Sequence, residues 1–134
     1  MGQTPLITAV SKNKEESINS LLDHHANINY ANADKGNTPL IVASQEGFPN
    51  IVDLLLKRGA DISQVNSIGR RALHYASFRD PEGCIECVKV LLNYGDDIEA
   101  RDEEGDTPLI LAAYFGNIYI YINRHIKMKR ERER

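Results

Sequence analysis

Thr4-Pro5-Leu6 recurs as Thr38-Pro39-Leu40 and as Thr107-Pro108-Leu109, and Arg71-Ala72-Leu73 stands where another copy is due. The four starts are 34, 33 and 36 residues apart. Each leads through the same events. An alanine follows five residues on (Ala9, Ala43, Ala76, Ala112), then a Gly or Asn, then an apolar cluster. The cluster ends in Gly59-Ala60-Asp61-Ile62 and Gly95-Asp96-Asp97-Ile98, with His25-Ala26-Asn27-Ile28 as a weaker first copy. A glycine stands two residues before each later start: Gly36, Gly69 and Gly105. Self-similarity at this period confines the chain to an array of small units, each too small to bury its own apolar face.

The second unit shows the local logic. Thr38 is a good helix N-cap and Pro39 suits the first helical position. Leu40 to Glu46 reads as a short helix that Gly47 ends in the left-handed conformation. Asn13, which replaces that glycine in the first unit, is the next best residue there. Asn50 to Lys57 reads as a second helix. Its Ile51, Val52, Leu54, Leu55 and Leu56 cover most of the circumference, so it must be buried on several sides. Residues 61–69 are too polar for a helix and read as an extended, hairpin-like loop.

Thr-Pro-Leu, the alanine, the glycine, the leucine cluster and Gly-Ala-Asp-Ile together resemble the ankyrin repeat over about residues 2–118. Arg71-Ala72-Leu73-His74-Tyr75-Ala76 is similar to a degraded form of the family's Thr-Pro-Leu-His-x-Ala signature, in which the histidine is structural. A different helical solenoid is disfavoured by the glycine loop at each period and by the Thr-Pro-Leu start. The resemblance implies an all-α repeat solenoid, an ankyrin-type stack of helix–turn–helix units joined by β-hairpin-like loops. It divides residues 1–126 into repeats of about 1–33, 34–66, 67–102 and 103–126, followed by a charged tail, 127–134.

Several departures carry information. Arg71-Ala72 lacks both the capping hydroxyl and the proline, so the third repeat's first helix is expected to start less firmly, by about 1 kcal/mol. Three extra residues lie between Ala76 and Gly83, and Pro81 forbids a continuous helix through 79–82. Ser17 and Ser20 take the places of the apolar pairs Ile51/Leu54 and Cys87/Val90, as expected of a repeat that caps the N-terminal end. In the last repeat Asn123, Arg124 and His125 fill the slot of Leu54, Leu55 and Leu56. Either its apolar face has rotated to Ile118, Ile122 and Ile126 in a capping helix, or the sequence has left the family there. The run Ile118-Tyr119-Ile120-Tyr121-Ile122 also fits a strand by propensity.

The remaining signals are weak. The 134 residues carry a net charge of −3, so no global field points to nucleic acid. No apolar run approaches a membrane span and the start is no signal peptide. Two cysteines make no disulfide framework, which favours a cytoplasmic or nuclear setting. Cys84-Ile85-Glu86-Cys87 has no second ligand pair for zinc. Cys87 aligns with Ile51 as a core residue, and Cys84 near a helix start is the more reactive candidate. The four histidines form no metal set. Asp96-Asp97 and Asp102-Glu103-Glu104 with Asp106 lack the spacing of a calcium loop and read as a solvated hairpin tip. The tail's five basic residues are interrupted by two glutamates, a frayed charged end more than a nucleic-acid segment. No catalytic or cofactor motif occurs.

The expected function is therefore non-catalytic: a monomeric protein–protein interaction scaffold without small-molecule substrate, cofactor or metal. The alternative is a regulatory or recognition fragment of a larger ankyrin-containing enzyme, channel or transcription regulator. The resemblance implies a partner on the concave face. Carried over repeat by repeat, that face takes in Gln3, Ser11 and Lys12, then Asp34, Lys35, Asn37, Gln45 and Glu46. It continues through Ser67, Ile68, Arg70, Phe78 and Arg79 to Glu103, Glu104, Asp106, Tyr114 and Phe115. The apolar members, Ile68, Phe78, Tyr114 and Phe115, concentrate in the last two repeats and mark the expected anchor.

Overall fold

The structure is a computed structural model that describes residues 3–78 and 85–115, the side chain of Phe78 excepted. All regular structure among these residues is helical: α1 (Pro5–Ser11), α2 (Glu15–Asp23), α3 (Pro39–Glu46), α4 (Pro49–Lys57), α5 (Ala72–Phe78), α6 (Ile85–Asn93) and α7 (Pro108–Tyr114). The first helices stack in one row, α1 on α3, α3 on α5 and α5 on α7, and α4 packs on α6 behind them. The loop at 79–84, with Arg79, Pro81 and Cys84, and the whole of 116–134 lie outside the described residues.

The expected caps are in place. Thr4, Thr38 and Thr107 accept at Oγ1 from the amides of Ile7, Ile41 and Ile110 at 3.1, 3.2 and 3.2 Å. Gly47 closes α3 at φ 76°, and Asn13 holds the matching place after α1 at φ 56°. The second helix of that repeat starts one residue earlier than expected, at Pro49, since proline suits a first turn. In the third repeat α5 begins at Ala72 without a hydroxyl cap. There the His74 amide donates to the Arg71 carbonyl at 3.1 Å, and the Arg71 amide donates to His74 Nδ1 at 3.2 Å.

The core is one continuous stripe. Ile7, Val10, Leu40, Ile41, Ile51, Val52, Leu55, Leu73, Cys87 and Leu91 are all buried, so Cys87 occupies the core place expected of it. Ser17 is exposed where Ile51 and Cys87 are enclosed, and Ser20 is exposed where Leu54 and Val90 are half-buried. At the other end Ile110 is 43% exposed, although its counterparts Ile7, Ile41 and His74 are at most 1% exposed. The third position after each capping residue is thus the one covered by the next repeat, and no described residue covers it on α7.

Candidate partner-binding surface

Three loops project from the stack beside the first helices, and one device shapes them all. Asn32 Oδ1 accepts from the amides of Lys35 and Asn37 at 3.0 and 3.1 Å. Asn66 Oδ1 does the same for Ile68 and Arg70 at 3.2 and 3.0 Å, and Asp102 Oδ1 for Glu104 and Asp106 at 2.9 Å each. Each loop is also closed by a backbone bond: Asn32 to Asn37, Asn66 to Arg70 and Asp102 to Asp106. Neighbouring loops are joined in turn, the Ser67 amide donating to the Lys35 carbonyl and the Glu103 amide to the Ile68 carbonyl, both at 3.0 Å. Gly69 is required where loops meet: at φ 75°, a Cβ there would stand 2.9 Å from the Glu103 nitrogen.

Side chains fasten the same junctions. Asn66 Nδ2 donates to Asn37 Oδ1 at 2.9 Å and to the Tyr75 hydroxyl at 2.7 Å. Asp102 has no amide to offer, and its Oδ2 takes the Arg70 Nε at 3.1 Å instead. The Arg70 guanidinium also lies 5.8 Å from the Tyr75 ring centre. Below it Arg71 Nη1 meets the enclosed Asp96 Oδ1 at 2.8 Å, while Arg71 Nε and Asp96 Oδ2 are buried without a partner. His74 donates from Nε2 to the Asp106 carbonyl at 3.0 Å, the neutral tautomer that its Nδ1 bond to Arg71 implies.

These settings move the titrations in different directions. Burial pushes the Asp96 carboxyl above its usual range, with Arg71 opposing. Burial also acts on Asp102, but the Asp106 amide, Arg70 and the Glu104 amide outweigh it and hold that carboxyl low. Burial lowers His74 and keeps the ring neutral. Asp96 and Asp102 therefore correct the reading of this acidic stretch as a solvated tip. Two of its carboxylates are inside the stack, because Arg70 and Arg71 from the preceding start reach them.

The eighteen residues of the expected concave face sort into several places. Asp34, Lys35, Glu46, Ser67, Glu103 and Glu104 are exposed, and Gln45, Arg70 and Asp106 are half-buried. Asn37 is only 4% exposed and works inside the stack, bonded to Asn66 and, at 3.5 Å, to Gln45. Ile68 is 42% exposed, Tyr114 83% and Phe115 55%, with the last two rings 5.4 Å apart. Of the first repeat, Gln3 and Lys12 are exposed and Ser11 half-buried. The Phe78 side chain and Arg79 lie outside the described residues. Asn32, Asn66 and Asp102 were missed by the sequence reading, although each precedes its loop glycine by three or four residues.

A family model for ankyrin repeats in three copies matches residues 1–66 and 63–123. The chain is 35% identical over 111 residues to the mouse B-cell lymphoma 3 protein homolog, covering 83% of this chain and 24% of that one. It is 32% identical over 112 residues to human neurogenic locus notch homolog protein 1, covering 84% and 4%. To the target of rapamycin complex 2 subunit AVO2 of Saccharomyces cerevisiae it is 29% identical over 133 residues, covering 96% and 30%. The chain thus spans at most about a third of the length of these relatives. The matched model, the repeated Thr-Pro-Leu caps and the stacked helix pairs place this chain in the ankyrin repeat family.

Proposed function

We propose that the chain is a non-catalytic interaction scaffold that holds a protein or peptide partner on its concave face, with the anchor in the last two repeats. Ankyrin repeats generally mediate protein–protein interactions, and that supports the class of function. The observation that carries the location is the contiguous Tyr114–Phe115 pair, exposed beside a rigid stack, with Ile68 exposed on the third repeat's loop. Aromatic side chains of this kind bring large area at small entropic cost and dominate interface energetics. Glu103, Glu104 and Arg70 supply polar surroundings. No helix among the described residues is long and apolar enough to cross a membrane. The scaffold works as a single copy, in the cytoplasm or nucleus, where the Cys87 thiol stays reduced.

The test is affinity capture with the intact chain and with Ile68→Ala, Tyr114→Ala and Phe115→Ala variants, followed by titration of each captured partner. Loss of about 2 kcal/mol or more at one of the aromatics, roughly 30-fold in affinity, is the expected result. Unchanged affinity in all three variants for every partner would place the interface elsewhere. A second reading is favoured by the coverage figures: the array serves as the recognition part of a longer regulatory protein, since the relatives extend far beyond the matched region.

A further inference from the structure

We propose that the N-terminal end of the stack is a second docking surface, for a protein segment that carries carboxylates around an apolar anchor. A groove of 550 Å³ opens there between α1 and α2, with Pro5, Thr8, Lys12, Lys14, Ser17 and Leu21 in its lining. Its shape follows from the repeat. At the places equivalent to Thr8, Ser17 and Leu21, the later repeats hold Val42, Tyr75 and Leu111, Ile51 and Cys87, and Leu55 and Leu91, all buried except the half-buried Tyr75. In the first repeat Thr8 and Ser17 are exposed and Leu21 is half-buried. The end of the stack thus keeps the concavity of a repeat-to-repeat contact while presenting Ser17 where the interior presents Ile51 and Cys87.

Charge selects the occupant. Lys12 and Lys14 are exposed, and neither forms an ion pair among the described residues. Glu15, next in the chain, is engaged by Asn50 Nδ2 at 3.3 Å on the second repeat's side. Lys12 and Lys14 are the only charged residues in the groove's lining, although the body around it is acidic. The last eight residues hold five of the sixteen basic and two of the nineteen acidic side chains, which leaves residues 1–126 at a net −6. A basic, hydroxyl-lined mouth over a partly exposed leucine complements a short acidic segment with one or two leucines, and repels a basic one. This surface lies on the end of the stack, apart from Tyr114 and Phe115.

The experiment is chemical-shift mapping on the isotopically labelled intact chain with two synthetic probes. One is a short peptide with a Leu-Leu pair flanked by Asp and Glu; the other carries Lys at every acidic position. The acidic peptide is expected to move the amides of Thr8, Lys12, Lys14, Ser17 and Leu21, with affinity falling as NaCl is raised. The Lys12→Glu/Lys14→Glu variant, whose changes are on exposed side chains, is expected to weaken it at least about tenfold with an unchanged circular dichroism spectrum. No shift at these residues, equal response to the basic peptide, or insensitivity to the charge reversal would overturn the proposal. Groove shifts on concentrating the protein alone would also overturn it, giving the surface to a second copy. Shifts confined to Ile68, Tyr114 and Phe115 would do the same while leaving the concave-face reading intact.

Discussion

Asn66 makes four hydrogen bonds with a side chain on a residue only 7% exposed: two hold its own loop, one reaches Asn37 and one reaches Tyr75. Removing it strands donors and acceptors that water reaches poorly. Asn66→Ala is expected to cost about 2–4 kcal/mol, read as a lower urea midpoint. Asn66→Asp keeps the two loop bonds but turns a carboxylate oxygen toward Asn37 Oδ1, so it is expected to lie well below the wild type. The reverse case is His25, which holds φ 67° where the later repeats place Gly59 and Gly95. Left-handed backbone strains a residue with a Cβ, so His25→Gly is expected to stabilise the fold by up to about 1 kcal/mol and raise its melting temperature. Residues of both kinds differ in how legible they were. His25 stood out because a glycine recurs at its place. Asn66 did not, because its role depends on a side chain folding back over four residues and reaching 29 residues upstream. Nothing in the one-dimensional pattern states either distance.

At the level of helices and junctions, Arg71 decides between two effects of different size. Thr at this place would supply the cap that α1, α3 and α7 have, a gain of about 1 kcal/mol. It would also leave the enclosed Asp96 carboxylate unpaired, and breaking a buried pair costs about 3–5 kcal/mol. Arg71→Thr is therefore expected to destabilise by roughly 2–4 kcal/mol. Arg71→Thr/Asp96→Asn should recover most of the loss, which a double-mutant cycle measures. The missing hydroxyl cap of the third repeat's start was legible; the contacts through His74 and Asp96 were not, because their partners are supplied by the fold. The same junction sets the pH response. His74 is depressed in the native state, so its contribution is present above about pH 6.5 and is lost as pH falls through its lowered value. Asp102 is also depressed, so its contribution is present above about pH 4 and disappears at lower pH. Asp96 is raised and acts in the opposite sense, its contribution being lost as pH rises through its native value. His74 acts in the window below about pH 6.5, so the urea midpoint of His74→Gln should fall less than that of the wild type as pH is lowered from about 7 to 5. An equal slope in the variant would assign the response to other groups.

Across the whole molecule, the described contacts run between adjacent repeats, and the two ends differ. The N-terminal end has Thr8, Ser17, Lys12 and Lys14 about a groove; at the α7 end Ile110, Tyr114 and Phe115 are exposed. The helix pairs of an ankyrin-type stack and the polar N-terminal flank were legible, since each rests on a pattern that recurs along the chain. The inward turn of Asn37, Asp96 and Asp102 was not, since a polar residue in a loop looks solvated until its neighbour in the next repeat is known. Folding in an array of this kind is a sum of repeat and interface terms. Asn32→Ala and Asp102→Ala, which share no partner, should therefore act independently, and their free-energy losses are expected to add more closely than those of Asn66 and Asn37, which touch. The rungs that tie loop to loop, Ser67 to Lys35 and Glu103 to Ile68, have a mechanical meaning as well. Each lies between two neighbours and none spans the array, so a pull on the two ends loads the junctions in series. The chain should yield under tension in steps, each released repeat of some 33 residues paying out on the order of 110 Å of slack. A molecule built this way can act as a spring that gives ground one coil at a time while the repeats still folded keep hold of whatever they have bound.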